Sequence, residues 1–344
     1  MYTTMSSFRI TEVSVKDIRF PTSLDAHGSD AMHTDPDYSC AYVKISTERG
    51  VEYSGFGLTF TIGRGTEIVV QAVKSLSYLV VGKDCIHIFT NFAAFWREIT
   101  SESQMRWLGP EKGVMHLAVA AIVNALWDLW ARIEHKPVWK LLVDMSPRQL
   151  VSTIDFRYIT DVITASEAET MLEEMQKGKT ERETHIRKNG YPSYTTQAVG
   201  QDLASDKVRC KMVRDVIGPD NLLMVDANQR WEVQQSIDWM KELADLKPLW
   251  IEEPTSPDDV LGHAEIAKAL APYGIGVACG EMCCNRVMFK QFLQAKAINF
   301  CQIDSCRIGG INEILAMFDY IAISGTMENR LIEHVKQEHD HFER

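Results

Sequence analysis

Four acidic residues each close a strand-like run in the second half of this chain. They are Asp226 in LLMVDAN, Glu252 in LWIEEP, Glu281 in GVACGE and Asp304 in FCQIDS. The intervals between them are 26, 29 and 23 residues, close to the roughly 30 residues of one strand–helix unit. Surface acids carry no such period. In a (β/α) barrel every strand delivers its C-terminal end to one face, where the chemistry takes place. The carboxylates would then converge on one small volume. Like charges placed so closely repel unless a cation holds them. Oxygen-only ligation suits a hard ion such as Mg²⁺.

The elements that must position these groups can be read on either side. Residues 8–20, FRITEVSVKDIRF, alternate as a strand does. CAYVKIST and VEYSGFGLTF, within 40–60, give a hairpin signal around Gly50. The polar SLDAHGSDAMHTDPDYS precedes them; a loop of this length is often functional, with a disordered insertion as the competing reading. Helical periods follow over TEIVVQAVKSLSYLVV, NFAAFWREIT and EKGVMHLAVAAIVNALWDLWARIEHK. The last is apolar nearly all round and reads as buried between two layers. Trp127, Trp130 and His116 on it read as core residues, the histidine with its ring nitrogens satisfied.

From residue 151 strands alternate with helices. The strand candidates are VSTIDFRYI, NLLMVDAN, PLWIEEP, GIGVACGE, NFCQIDS and FDYIAIS. An eight-stranded barrel takes about 250 residues, and 151–344 supply 194. The deficit falls at two junctions. Between VSTIDFRYI and NLLMVDAN lie two charged helical stretches and only a weak strand candidate, YPSYTTQAVG. Between NFCQIDS and FDYIAIS there is only CRIGGINEILAM, one short helix. The expected fold class is α/β: an N-terminal α+β unit over 1–145, then an incomplete (β/α) barrel over 146–344 with about six of eight strands.

The 344 residues are 45% hydrophobic and 24% charged with a net charge of −11, a soluble globular profile without the basic footprint of a nucleic-acid binder. Eight cysteines form no CxxC pair and read as reduced thiols. The first residues lack the apolar segment of a secretory signal, and no apolar run is expected to reach a membrane span. The cytosol or mitochondrion is the expected compartment.

With VDANQRW, WIEEPTSPDD, the Gly-Glu pair at 280–281 and QIDSCR in hand, the chain resembles the enolase superfamily. Within it, the mandelate-racemase-like branch and its L-fuconate dehydratases look most similar, over nearly the whole chain to MENRLIEHV. The resemblance implies a capping domain over 1–145 and a barrel domain over 146–344. It implies a lyase that takes the proton beside a carboxylate and expels a β-hydroxyl, the enediolate being held by Mg²⁺. By resemblance, Asp226, Glu252 and Glu281 are metal ligands, and Asn228 and Glu281 face the substrate. Glu253 supports the site. Gly28, Ser29, Asp30 and Tyr38 belong to the loop that closes over a sugar acid, and Glu333 touches that acid. Asp304 would orient a catalytic histidine.

The same resemblance marks two absences. The His-Ala-Gly strand that should follow Asp304 is missing, and so is the strand bearing a Lys-x-Lys pair. Lys207 and Lys211 are four apart in a helical pattern and do not replace it. His263 and His334 read as helix-start or surface residues. The expected function is an L-fuconate-type, Mg²⁺-dependent dehydratase by ancestry, with turnover impaired or lost. The alternative is a non-catalytic relative that binds metal and acid sugar or has a regulatory role. A third reading is a chain whose unpaired strand edges prevent stable folding. The implied partner is a small sugar acid, with neither nucleic acid nor membrane, and the resemblance leaves room for a homo-oligomer. The chain also stops at HDHFER, short of the tail the resemblance leads one to expect.

Overall fold

The computed structural model describes residues 6–190 and 196–324. The first sheet is antiparallel, in the order β1 (Ile10–Arg19), β2 (Ser39–Thr47), β3 (Gly55–Thr61). Alternation in β2 is strict: Ser39, Ala41, Val43, Ile45 and Thr47 are buried and the residues between them are half-buried. One face therefore meets a core. That core is capped by the long helix Gly113–Ile133, with Thr66–Leu76 and Phe92–Thr100 beside it. Gly57 in β3 is needed for this contact, because a Cβ there would lie 2.4 Å from the Ala121 carbonyl oxygen. The Phe56 N–H donates to Asp128 Oδ2 at 2.9 Å, so the helix also covers the edge of β3. Trp127 and Trp130 stack on Phe92 and Phe89, as core residues should.

The long helix is buried on nearly every side. By length and composition it could cross a membrane, which corrects the expectation that no segment reaches that length. Here its apolar surface is taken up by β2, β3 and the helices Thr66–Leu76 and Ile311–Ser324. His116 is buried as expected; neither ring nitrogen makes a hydrogen bond among the described residues, and its polar partner is instead an ion-pair contact, Nε2 to Glu313 Oε1 at 3.8 Å.

The second sheet is parallel and runs in chain order: β4 (Gln197–Ala198), β5 (Leu223–Asp226), β6 (Pro248–Glu252), β7 (Gly276–Cys279), β8 (Phe300–Cys301). The helices Leu203–Ile217, Val233–Leu243, Val260–Leu270 and Arg286–Gln294 connect successive strands. The period of two sorts the side chains. Leu223, Val225, Ile251, Val277 and Cys279 enter the large helix-covered core. Met224, Trp250 and Ala278 form a separate cluster on the other face, where the Trp250 and Phe300 rings lie 4.7 Å apart.

Among the described residues five strands form this sheet rather than six. VSTIDFRYI is not a strand: Ser146 and Pro147 open the helix Pro147–Val151 with a capping box to Gln149, and turns follow. FDYIAIS is not a strand either, but continues the helix Ile311–Ser324. Both corrections have one cause. A strand without a neighbour leaves its backbone N–H and C=O groups unpaired, whereas a helix pairs them internally. The weak candidate YPSYTTQAVG does supply β4, with 191–195 outside the described residues. β4 and β8 are the two edges and do not pair with each other, so the sheet stays open among the described residues.

Candidate functional site

Asp226 and Glu252 close β5 and β6 directly opposite one another in the parallel register. Both are buried, on the face that also carries Met224 and Trp250. Glu281 follows β7 after Gly280. That glycine has φ 147°, and a Cβ on it would lie 2.3 Å from the Gln302 carbonyl oxygen. Asp304 follows β8, and its Oδ1 accepts the Cys306 N–H at 2.7 Å.

Asp226, Glu252 and Glu253 have lost water without gaining a cation in salt-bridge range among the described residues. Burial raises Asp226 first, then the charge of Glu252; the Asn228 N–H at 2.8 Å only partly offsets this, and the carboxyl is pushed up to about 8. Burial also pushes Glu253 to about 8, against a hydrogen bond from Gln229 and the charge of Arg307. Glu252 is raised by burial against hydrogen bonds from Gln302 and Trp250. Glu281 is open to solvent on one side, yet it is still raised by desolvation on the other, and then by Glu252 and Asp304, with Arg307 opposing and Asp30 adding. No lysine or histidine forms a hydrogen bond or ion pair with any of the four among the described residues.

The backbone around them is strained. Asn228, Gln229 and Glu253 take φ values of 44°, 64° and 38°, the left-handed region that side chains avoid. Gln229 binds Glu253 twice, N–H to carbonyl at 2.7 Å and Nε2 to Oε2 at 2.8 Å. Glu253 Oε1 is buried with no hydrogen-bond partner among the described residues. Such strain persists only where the surroundings impose it, and it concentrates at functional sites.

The residues 20–38 that precede β2 form an ordered loop. Thr22 Oγ1 donates to the Pro36 carbonyl at 2.8 Å and Ser23 Oγ to Asp37 Oδ1 at 2.7 Å. Asp30 accepts from the N–H groups of Met32 and His33, at 2.7 and 2.6 Å. Its charge acts weakly on Glu281. Ser29 Oγ donates to the Ala26 carbonyl. Tyr38 lies across Gly28, where a Cβ would meet its hydroxyl at 2.1 Å.

Other candidates fall elsewhere. Lys207 pairs with Glu242, and Lys211 with Asp215 at 2.7 Å, both on the outer surface. His263 sits in the first turn of Val260–Leu270, the helix-start position expected of it, but is fully buried there rather than on the surface, with Nδ1 2.8 Å from the Asp259 carbonyl oxygen. Glu333 and His334 lie outside the described residues. Gln229, Gln302 and Arg307 belong to the site and were not singled out from the sequence. Gln302 could have been, since it stands two residues before Asp304 and so on the same face of a strand.

The donor set matches a hard divalent cation in chemistry: carboxylate oxygens only, mutually repelling, with no bound cationic side chain. As placed, the carboxylates meet at electrostatic range rather than coordinating range. Among the described residues no three His, Cys, Asp or Glu side chains close on a metal position.

A (β/α)-type parallel sheet with acids at successive strand ends, capped by an antiparallel α+β unit, defines a class of protein, and the chain belongs to the enolase superfamily. Residues 13–143 match the mandelate racemase / muconate lactonizing enzyme N-terminal domain, and residues 179–326 match the enolase C-terminal domain-like family. The chain is 51% identical to human mitochondrial enolase superfamily member 1, over 97% of this chain and 88% of that protein. The crystal structure of that human protein superposes with a TM-score of 0.90 at 54% identity, covering 92% of this chain and 79% of the other. L-galactonate dehydratase of Hypocrea jecorina is 44% identical, over 98% of this chain and 88% of that protein. A racemase from Streptomyces coelicolor A3(2), crystallised with bound magnesium, has a TM-score of 0.71 at 25% identity, covering 92% of this chain and 82% of the other. The alignment with the human protein runs over 391 positions, more than the 344 residues of this chain. That relative therefore carries internal stretches with no counterpart here.

Proposed function

We propose that this chain keeps the cation- and acid-binding face of a sugar-acid dehydratase and lacks the groups that move protons, so that turnover is impaired or lost. The observation that carries this reading is the carboxylate cluster at the ends of β5–β7, Asp226 and Glu252 buried and Glu281 beside them, without a lysine or histidine partner among the described residues. Asp226, Glu252 and Glu281 would hold Mg²⁺, as the magnesium in the S. coelicolor relative supports. The ion, when bound, supplies Lewis-acid polarisation of a substrate carboxylate.

The chain's own residues do the rest of the binding. Asn228 would face the acid. Gly28, Ser29, Asp30 and Tyr38 would close over its hydroxyls, with Glu333 as a further contact. An L-fuconate-like acid is the ligand class in this reading. Among the described residues Asp304 has no histidine to orient, and it braces its own turn instead. Losing a general acid or base costs about 10²–10⁴-fold for each role. The same reading divides the chain into a cap over 1–145 and a shortened barrel over 146–344. It places the chain in mitochondrion or cytosol, the first supported by the name of the human relative, and allows a homo-oligomer.

Two measurements test it. L-fuconate with Mg²⁺ should yield keto-acid product no faster than with Asp226→Asn; a clearly higher rate overturns the loss of turnover. Calorimetry with Mg²⁺ alone should show saturable binding that Asp226→Asn abolishes. A flat titration of the wild-type chain overturns the binding half.

A further inference from the structure

We infer that Asn124, on the long helix of the cap, is a positioning residue that holds the loop bearing Asp304 and Arg307 against the carboxylate face. The inference rests on the functional reading above only for where the site lies. The loop leaves β8, an edge strand, so among the described residues no further strand of the sheet supports it on its outer side. It winds around Asp304, whose carbonyl accepts the N–H groups of Arg307 and Ile308 at 3.1 and 3.2 Å.

What anchors this turn is the cap. Asn124 Nδ2 donates to the Ser305 carbonyl at 3.0 Å, and its Oδ1 accepts the Ile311 N–H at 3.3 Å. One side chain thus spans both ends of the turn. Thr59 Oγ1 adds a bond to the Cys306 carbonyl, and Trp96 Nε1 one to the Gly309 carbonyl at 2.8 Å. The fit is close at Gly310, where a Cβ would lie 2.7 Å from Val123 Cγ1 and 3.1 Å from Asn124 Oδ1. The loop in turn carries two opposite charges to the site. Asp304 acts on Glu281, and Arg307 acts on Glu253 and Glu281. Contacts from the cap therefore stand where a neighbouring strand would otherwise brace the loop.

The test is residue-resolved hydrogen exchange on the full chain, with Mg²⁺ titrated alongside. Asn124→Leu keeps volume and removes both bonds. Exchange at Cys306, Arg307, Ile308 and Ile311 should quicken about tenfold, one net hydrogen bond being worth close to that factor. The β2 amides should stay slow. Asn124→Asp keeps the acceptor and loses the donor, so Ile311 should stay protected while Cys306–Ile308 quicken. No change, or equal quickening of cap and loop in both variants, overturns the inference. Where the wild-type chain binds Mg²⁺, the Leu variant should bind it about three- to tenfold more weakly. An unchanged affinity with a loosened loop overturns the link to the site. A wild-type chain that takes up no Mg²⁺ sinks the proposed function alone, and the exchange pattern still decides what Asn124 does.

Discussion

Two of the clusters of buried charge among the described residues titrate in opposite directions. At the seam between cap and sheet, the Arg286 guanidinium donates to Glu313 and to the Asp155 carbonyl and lies 4.3 Å over the Trp96 ring. The Arg286 N–H also binds Glu313 Oε1, at 2.8 Å. Burial alone would raise Glu313, but Arg286 and His116 hold it down at about 2. At the ends of β5 and β6, Asp226 and Glu253 are similarly buried and rise to about 8. The residue types and the burial are alike; the difference is a cation at contact distance. A buried carboxylate with its own guanidinium holds structure together, and one without a partner marks a place where the fold tolerates strain for function.

The largest effect should come from breaking the seam. Arg286→Met leaves Glu313 buried and uncompensated, at a cost of about 3–5 kcal/mol. Urea unfolding measures this directly, and Arg286→Met with Glu313→Leu should recover most of the loss. A single variant as stable as the wild type would erase the contrast between the clusters.

The pH dependence of stability separates the clusters by sign. Glu313 sits below its ordinary value of 4.5, so its stabilisation is complete above that pH and is lost as pH falls from about 4.5 to 2. The loss amounts to roughly 3 kcal/mol. Asp226 sits above its ordinary 3.8, so its contribution is complete below that pH and is lost as pH rises toward 8. Metal-free protein should therefore gain stability as pH falls from 8 toward 4.5 and lose it below. The double seam variant should abolish the acid arm and leave the other.

Asp226→Asn addresses the alkaline arm alone. Removing one of the facing charges should stabilise metal-free protein at pH 8 by about 1–3 kcal/mol, while removing the rise in melting temperature that Mg²⁺ gives the wild type. Equal melting curves with and without Mg²⁺ in both proteins would put the cluster on a par with the seam, as structure only.

How much of this could be read in the sequence follows from which forces are local. Asp226, Glu252, Glu281 and Asp304 were legible because the strand–helix period and the terminal acid are both written in consecutive residues. The buried helix Gly113–Ile133 was legible for the same reason. The segments VSTIDFRYI and FDYIAIS misled because β propensity reports a fit to a pleated neighbour, and the neighbours are absent. The Arg286–Glu313 pair, 27 residues apart, and the Asn124–Ser305 bond, 181 apart, were invisible. Nothing local distinguishes an arginine that will meet a buried glutamate from one that will face solvent.

The smallest stability effect should fall on the cap loop, and it sharpens the comparison by adding a third environment. Tyr38 is 40% exposed, with its ring edge-on to Phe60 at 5.1 Å and its hydroxyl over Gly28. Its hydroxyl accordingly contributes little to folding. Tyr38→Phe should change unfolding free energy by less than about 0.5 kcal/mol. If the loop selects sugar hydroxyls, the same change should weaken L-fuconate binding severalfold in the presence of Mg²⁺, measured by calorimetry. Unchanged affinity would make Tyr38 a packing residue and take substrate selection away from this loop.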